Sequence, residues 1–263
     1  MNTLARLPAV VLAGERPGGN ALARSHDVAA GVLVEVLGRP CLARVLDALR
    51  ASDRVGGGVV VGPRREVVDG DAALRALLEA GDFRWLPPAD GPSASAMAGV
   101  AALARWPVLL TAGDHALLTP AIVDDFCTRA DRLAADVVIG LVPWARVRAA
   151  WPESRRTLLR FADGACCGSN LFLLRSARAT AVLDFWRAVE RERKRPWRIA
   201  RALGAGTLLR YLGGRLERAE AFARLSAQAG AEVACITIDE PRAAVDVDSA
   251  ADHALAERIL AHD

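Results

Sequence analysis

The sequence predicts an α/β fold in which a mostly parallel, Rossmann-like sheet is flanked by helices. Short apolar runs of strand length alternate with segments that have the apolar period of a helix. The chain has 263 residues, 52% of them hydrophobic and 25% charged, which is enough for a large core and argues against disorder. Because strands that alternate with helices form βαβ units, we expect right-handed crossovers and a parallel sheet.

The first half of the chain carries the clearest alternation. Pro8 to Leu12 reads as a buried strand that ends in a glycine loop, and "GRPCLARVLDALRAS" follows as a helix. "GGVVVG" predicts a second strand, and "DAALRALLEAG" a helix that begins after Asp71 and ends at Gly81. Next come a serine-capped helix in "GPSASAMAGVAALARW", a buried strand in "PVLLTAGD", a helix with Thr119 as N-cap, and a strand in "DVVIGLV".

The regular alternation of predicted strands and helices ends after about residue 143. "TLLRF" and "SNLFLLR" resemble strands, and residues 177–228 read as nearly all helical and strongly basic. We interpret 143–231 as an acceptor-side, helical elaboration of one domain that spans 1–263. The chain then returns to a strand, "EVACITI", and to a helix that Ser249 and Asp252 start as in a capping box.

Composition excludes several classes of protein. The net charge of +3 does not call for nucleic acid, and Lys194 is the only lysine beside many arginines. Five cysteines without C-x-x-C spacing argue against a disulfide framework, and four histidines without a cysteine cluster argue against zinc. The N-terminal apolar run is too short for a signal peptide, and no stretch is long enough to span a membrane. A reducing cytoplasm is the expected setting.

Three polar features follow predicted strands: the loop Gly14–Asn20, Asp114 after "VLLTAG", and the pair Asp246 and Asp248 after "AAV". Ligands of open α/β sheets bind beyond the carboxyl ends of the strands. The sequence therefore predicts that these features converge on one site.

The glycine loop "VVLAGERPGGN" suits phosphate, because glycines let backbone N–H groups surround phosphate oxygens and Arg16 adds a positive charge. It is neither a Walker A loop, since Gly-Lys is absent, nor a G-x-G-x-x-G fingerprint. A glycine-rich turn without a ligand is the alternative.

Asp114 either caps a turn or holds a divalent metal. Asp246 and Asp248 flank Val247, so in an extended strand they share one face, although Asp248 also precedes a helix start. Two carboxylates from distant strands are suited to hold Mg²⁺ against a triphosphate.

Three further segments each have a functional and a structural interpretation. The small residues and hydroxyls of "GPSASAMAGV" suit a nucleobase or phosphate, or a helix packed closely on the sheet. Asn170 suits sugar hydroxyls or a turn. The run Arg191–Arg201 suits a solvated helix face, or an amphipathic acceptor or membrane surface.

Four motifs in order resemble the MobA-like NTP transferases, which are molybdenum-cofactor guanylyltransferase-like nucleotidyltransferases with a GT-A-type fold. "VVLAGERPGGNALA" is similar to the opening loop L-A-[AG]-G-x-x-R-x-G, and "EVLGRPCLARVLDAL" to the helix entry after G-[KR]-P. "VLLTAGDHALLTP" resembles the strand that ends in a metal-binding aspartate, and "VDVDSAADHALAE" the ending D-x-D-[TS]-x-x-D-L. The resemblance covers about residues 7–142 and 232–262.

The resemblance implies roles for particular residues. It implies that Arg16 and Asp114 are catalytic, that Asp114 binds Mg²⁺ with Asp248 or Asp246, and that Ser93 and Ser95 contact the base. The nucleotide-binding residues would be Leu12, Ala13, Gly14, Glu15, Arg16, Gly18 and Gly19. The acceptor would meet the elaborated region, where our candidates are Arg155, Arg156, Arg160 and Asn170.

One position departs from the family pattern. The family usually has a phosphate-contacting lysine about seven residues before the G-[KR]-P turn, and Gly31 stands there in this chain. Arg24 is a candidate replacement, although a planar guanidinium is not equivalent to a compact ammonium group.

We therefore expect a Mg²⁺-dependent nucleotidyltransferase (EC 2.7.7-type) that transfers a nucleoside monophosphate, from CTP or GTP by family habit, to a phosphorylated alcohol or lipid-headgroup precursor. Two alternatives stay open: a nucleotide-sugar-dependent glycosyltransferase, and a catalytically weakened nucleotide-binding protein. The glycosyltransferase would place its D-x-D at the Asp114 strand, whereas Asp246-Val247-Asp248 lies near the C-terminus.

Overall fold

The computed structural model describes residues 6–15, 19–192 and 204–262. Within them, eight strands form one mixed sheet, and two short strands, β2 (Glu35–Val36) and β3 (Arg39–Pro40), form a separate antiparallel pair. The strands of the main sheet are β1 (Leu7–Leu12), β4 (Val55–Val61), β5 (Phe83–Leu86), β6 (Val108–Ala112), β7 (Val137–Pro143), β8 (Leu159–Phe161), β9 (Gly164–Leu174) and β10 (Val233–Thr237).

Helices occupy the connections between the strands. They are α1 (Ala21–Ser25), α2 (Cys41–Ala51), α3 (Arg65–Gly70), α4 (Ala72–Glu79), α5 (Pro92–Leu103), α6 (Pro120–Ala130), α7 (Trp144–Ala150), α8 (Ala179–Glu192), α9 (Ala205–Leu212), α10 (Arg218–Ala229) and α11 (Ala250–Leu260). Two 3₁₀ turns lie at Gly31–Leu33 and Pro241–Ala244. None of the helices in the described ranges is both long and apolar enough to cross a bilayer.

The spatial order of the sheet is β10-β7-β9-β6-β1-β4-β5, with β8 added to β9. Every pairing is parallel except those of β9, which runs antiparallel to β6, β7 and β8. The prediction of a mostly parallel α/β sheet is thus confirmed. The antiparallel strand comes from within the segment 143–231, so part of that segment lies in the middle of the sheet.

The core has a layer on each face of the sheet, because successive strand residues point to opposite sides. Val11 of β1 packs in one cluster with Leu46 and Phe126, whereas Val10 packs on the other face with Ala96 and Leu183. A third cluster joins elements from both ends of the chain: Leu22, Val34, Val36, Cys41, Ala116, Leu117, Val245, Val247, Leu255, Ala256 and Ile259.

Three predicted helix starts are confirmed by side-chain caps. Asp71 accepts the Leu74 N–H at 2.9 Å, Thr119 accepts the Ile122 N–H at 3.3 Å, and Ser249 accepts the Asp252 N–H at 3.3 Å.

Two local predictions were wrong. The helix α5 is not serine-capped: its N-cap is Gly91 at φ +95°, Pro92 follows as the first helical residue, and Ser93 lies inside the helix. The segment before Asp246 is also not a strand, because Pro241 starts a 3₁₀ turn whose N-cap Glu240 accepts the Arg242 N–H at 3.2 Å.

The glycines at the start of β4 allow it to pair with β1 through a bulge. The register shifts between Leu7 and Ala9, and Gly57 adopts φ +89°. A Cβ on Gly58 would overlap the carbonyl oxygen of Ala9 and lie 2.7 Å from its nitrogen. Strand β4 therefore needs glycine here to reach its neighbour.

We predict that Gly58→Ala lowers the free energy of unfolding by about 3 kcal/mol, at the upper end of the cost of overpacking, because the obstructing atoms are backbone. Denaturant unfolding measures the change. The control is Gly70→Ala in α3, where a Cβ would meet no atom within 4 Å. Equal stability of the two variants would contradict this explanation of the bulge.

Candidate functional site

The loop after β1 lies at the centre of the carboxyl edge of the sheet, between the ends of β4 and β6. Ala13 donates its N–H to Val61 of β4 at 2.9 Å, and Leu12 accepts the N–H of Gly113, just beyond β6, at 2.8 Å. A Cβ on Gly62 would lie within 2.6–2.8 Å of the backbone of Ala13 and Gly14. These contacts bring the start of the loop beside Asp114.

The C-terminal carboxylates reach the same place through the backbone of Val247. Its N–H donates to the carbonyl of Asp114 at 3.0 Å. Val245 and Val247 are buried in the third core cluster, so the polar residues Asp246 and Asp248 between and after them turn away from it. The structure therefore brings two of the predicted features, Asp114 and the Asp246–Asp248 segment, together.

A polar cavity of about 330 Å³ opens beside this segment. Asp246 and Asp248 both line it, as do three of the four residues that the sequence suggested for an acceptor. Its lining residues are Arg155, Arg156, Thr157, Cys167, Gly168, Asn170, Ala244, Asp246, Asp248 and Asp252. Arg160 does not line it: that residue lies in β8, is exposed, and donates its backbone N–H to the Tyr211 hydroxyl at 3.3 Å.

Arg156 is a buried structural cation in the wall of the cavity. Its side chain is 6% exposed; Nη1 lies 2.6 Å from Asp246 Oδ1, and Nη2 lies 2.7 Å from Asp252 Oδ1. Its charge is therefore balanced by the protein. Arg155, the preceding residue, is exposed and makes no ion pair with any described residue, so its charge is available to a ligand.

A β-bulge aims Asn170 into the cavity. Between β7 and β9 the register jumps, so that residues 169–171 lie opposite Gly140 alone. Ser169 fills the space, donating its hydroxyl to the Gly140 carbonyl at 2.8 Å. Asn170 adopts φ +53°, which asparagine tolerates better than most residues, and its Nδ2 lies 3.4 Å from Asp246 Oδ2.

Cys167 is the one cysteine among the described residues that line the cavity. Burial raises the pKa of the Cys167 thiol to about 11, so the group is protonated at neutral pH. Burial likewise raises the pKa of Cys41 to about 12, with a further contribution from the charge of Asp114, and lowers the pKa of His115 to about 4.

Two residues of the glycine loop, one of them a predicted contact, have partners within the protein. Glu15 accepts the Gly31 N–H at 2.6 Å through Oε1, and Asn20 caps α1 by accepting the Leu22 N–H at 2.8 Å. Arg16, Pro17 and Gly18 lie outside the described residues.

Gly31 is the position where the family pattern has lysine. A Cβ there would overlap the amide of Asn20, so any side chain would displace the cap of α1. Arg24 lies next to Gly19, with its Nη1 3.2 Å from where a Cβ of Gly19 would stand. A positive charge thus lies against the loop, although not from position 31.

Ser93 and Ser95 use their hydroxyls within the protein. Ser93 donates to Glu190 Oε1 of α8 at 2.7 Å, and Ser95 accepts the Ala89 N–H at 3.0 Å. Both side chains are buried. They fix the start of α5 and the loop before it, and their contact with a base remains a prediction.

Comparison with known proteins shows the family of the chain. The family model for the MobA-like NTP transferase domain matches residues 9–242. The chain belongs to this family. No curated protein matches the sequence significantly.

Among solved structures, a hypothetical transferase from Thermus thermophilus is 32% identical with a TM-score of 0.79, and the match covers 95% of this chain and 100% of that one. The 4-diphosphocytidyl-2C-methyl-D-erythritol synthase of Anaerococcus prevotii is 13% identical with a TM-score of 0.59, and the match covers 97% of this chain and 96% of that one. A CMP:2-keto-3-deoxy-manno-octonic acid synthetase complexed with CTP is 12% identical with a TM-score of 0.58, and the match covers 98% of this chain and 99% of that one. These last two structures have the same fold as this chain.

Sequence reasoning missed two parts of the cavity. Asp252 appeared only as a helix-start residue, yet it holds Arg156 from the first turn of α11. The bulge at Asn170 was also not predicted, although a lone glycine inside the strand "DVVIGLV" is the usual signal of one.

We predict that Arg156→Met lowers the free energy of unfolding by about 3 kcal/mol or more, because it leaves two carboxylates beside a partly buried gap. The matched control is Arg155→Met, which changes an exposed residue and should stay within about 0.5 kcal/mol of the wild type. Denaturant unfolding of both variants measures this. Similar losses would mean that the two arginines are not structurally distinct.

Proposed function

We propose that the protein is a Mg²⁺-dependent enzyme that transfers a nucleoside monophosphate from a nucleoside triphosphate to a phosphorylated small molecule and releases pyrophosphate. The observation that carries this proposal is the hydrogen bond between Val247 and Asp114, which gathers carboxylates from the middle and from the C-terminal part of the chain beside the glycine loop. An arrangement of carboxylates next to backbone amides suits a metal-bound triphosphate.

Asp114 and Asp248 are the residues that would hold the Mg²⁺. Within the described ranges no group of three or more His, Cys, Asp and Glu side chains is placed to hold a metal. Two carboxylates fit Mg²⁺ when substrate phosphates supply further ligands. Asp246 lies beside them, where Arg156 and Asn170 bond to its two oxygens. When bound, the metal supplies neutralisation of phosphate charge.

The chain's own groups would hold and orient the triphosphate. Backbone N–H groups of the glycine loop and the guanidinium of Arg16 bind the phosphates in this proposal. Arg24 serves where the family pattern has lysine, since its guanidinium already lies against Gly19. Cationic groups at this position stabilise the negative charge that collects on the departing pyrophosphate.

The acceptor would bind in the polar cavity with its phosphate on Arg155. Because Cys167, the one cysteine among the described lining residues, is protonated at neutral pH, transfer is direct in this proposal. An acceptor phosphate oxygen forms a bond to the α-phosphorus as the bond to the bridging oxygen of the β-phosphate breaks, and that oxygen leaves with pyrophosphate. Positioning and charge neutralisation are the protein's contribution to such a reaction.

The neighbours whose names include cytidyl or CTP favour CTP as the donor, with GTP next. A phosphorylated alcohol or lipid-headgroup precursor fits the exposed guanidinium of Arg155 and the small volume of the cavity. We place the reaction in the cytoplasm and assign no role to nucleic acid.

The test is a thermal unfolding series with CTP, GTP, ATP and UTP, each with and without Mg²⁺, on the wild type and Asp114→Asn. A ligand at a hundred times its Kd adds about 2.7 kcal/mol, which raises Tm by roughly 5–10 °C at this chain length. We expect one nucleotide to give a Mg²⁺-dependent rise that Asp114→Asn loses. Asp125→Asn, an exposed change on α6, is the control.

Pyrophosphate release across a panel of phosphorylated alcohols then tests transfer with the same two variants. Binding of a nucleotide without release from any acceptor would favour a non-catalytic nucleotide-binding protein. Hydrolysis of a nucleotide sugar, without use of free triphosphate, would favour a glycosyltransferase. Unchanged turnover in Asp114→Asn would refute the metal assignment.

We predict that Arg24→Ala raises the KM for the triphosphate about tenfold or more, the equivalent of one lost charge-assisted hydrogen bond of about 1.5–3 kcal/mol. Arg105→Ala, which removes an exposed arginine after α5, is the control for net charge. A matched rise in both variants would show that only the overall charge matters.

A further inference from the structure

The guanidinium of Arg156 is attached to the C-terminal segment at two points. Nη1 donates to Oδ1 of Asp246 at 2.6 Å and to the carbonyl oxygen of the same residue at 3.3 Å. Nη2 lies 2.7 Å from Oδ1 of Asp252, and Nε donates to the Ser154 hydroxyl at 3.3 Å. Because a guanidinium is planar and rigid, this one group fixes the distance between the start and the end of the segment 246–252.

Both carboxylates that Arg156 contacts also use their second oxygen within the protein. Oδ2 of Asp252 accepts the hydroxyl of Ser249 at 2.6 Å, while the same hydroxyl accepts the Asp252 N–H at 3.3 Å. Oδ2 of Asp246 lies 3.4 Å from Nδ2 of Asn170. Each attachment point is therefore held from two sides, so neither carboxylate can move without the loss of a further contact.

Asp248, which would hold Mg²⁺ together with Asp114, lies between the two attachment points. It follows the first by two residues and precedes the second by four, and its side chain lines the cavity. The N–H of Val247 donates to the Asp114 carbonyl at 3.0 Å, which sets the segment against the loop after β6. Arg156 and this backbone bond thus fix together where Asp248 lies relative to Asp114.

The stability of the fold does not by itself account for a buried arginine at this place. A buried ion pair contributes little net stability compared with apolar side chains of similar volume. What it supplies is a fixed geometry for the groups that it joins. Residues that orient metal ligands without touching the metal change the affinity for that metal by about 10- to 100-fold when they are replaced.

We propose that Arg156 is a positioning residue for the metal site. By bridging the two carboxylates of the segment 246–252, it holds Asp248 where that residue and Asp114 reach the same Mg²⁺. This inference rests on the proposed function, because it takes these two aspartates as the residues that hold the metal. The effect of Arg156 reaches the metal through the segment and not through a contact of its own.

The effect of position can be separated from the effect of charge. Removal of a cation beside a metal site by itself strengthens the binding of a divalent metal, because a repulsion is lost. Arg156→Met should therefore bind the metal more tightly if only the charge matters, and more weakly if the position of the segment matters. Arg156→Lys keeps the charge, but a compact ammonium group lacks the planar fork that spans two carboxylates.

The first measurement is the affinity for Mn²⁺ alone, from the signal of free Mn²⁺ in electron paramagnetic resonance. The wild type and Asp248→Asn together define the binding that depends on Asp248. We expect both Arg156→Lys and Arg156→Met to weaken that binding about tenfold or more. Circular dichroism shows whether each variant is folded, and Arg156→Lys keeps the test decisive if Arg156→Met does not fold.

The matched control is a second buried arginine, Arg54, which forms an ion pair with Asp131. Arg54 directly precedes β4 and so lies at the amino edge of the sheet, opposite the cavity. Arg54→Lys and Arg54→Met should leave the affinity for Mn²⁺ unchanged. A readout without metal is hydrogen exchange of the Val247 amide, which should become faster in the Arg156 variants than in the matching Arg54 variants.

The outcomes separate this inference from the proposed function. Wild-type affinity in Arg156→Lys, tighter binding in Arg156→Met, or an equal loss in the Arg54 variants would overturn the inference and leave the proposed function in place. Binding of Mn²⁺ that Asp248→Asn does not weaken would overturn the metal assignment of the proposed function, and the inference with it.

Discussion

The candidate site depends on the attachment of the C-terminal segment to the loop that follows β6. A single backbone hydrogen bond, from Val247 to Asp114, joins two strand-end regions that are far apart in sequence. Burial of Val245 and Val247 with Leu22 and Leu117 holds that bond in place. Because apolar burial fixes the valines, the alternating aspartates are left on the polar side, where the cavity opens.

The charges of the cavity follow from this attachment. Once Asp246 and Asp252 face the interior wall, a buried cation is needed between them, and Arg156 supplies it. A buried ion pair of this kind contributes little net stability but is costly to break from one side. The two neighbouring arginines therefore differ in role. Arg156 is buried and neutralises two carboxylates of the protein, whereas Arg155 is exposed and lines the cavity.

The glycine at position 31 shows how one departure from the family pattern is absorbed locally. Its N–H bonds to Glu15, and the amide of Asn20 occupies the space that a side chain would need. The loop is thus tied to the 3₁₀ turn by a carboxylate and an amide. Among the described residues, Arg24 of α1 places a positive charge beside the loop.

The sequence by itself determined the α/β class, the succession of strands and helices, and the caps at Asp71, Thr119 and Ser249, because apolar period and capping chemistry act over a few residues. It also indicated that Asp114 lies at the carboxyl edge of the sheet, since the rule for strand ends needs only the order of elements, whereas Asp246 and Asp248 reach that place from a 3₁₀ turn and not from a strand end. Tertiary structure alone decided that β9 enters the sheet antiparallel, that a bulge turns Asn170 toward Asp246, and that Arg156 is buried while Arg155 is not. These features arise from contacts between residues distant in sequence, and neither periodicity nor spacing records which distant side chain fills a given space.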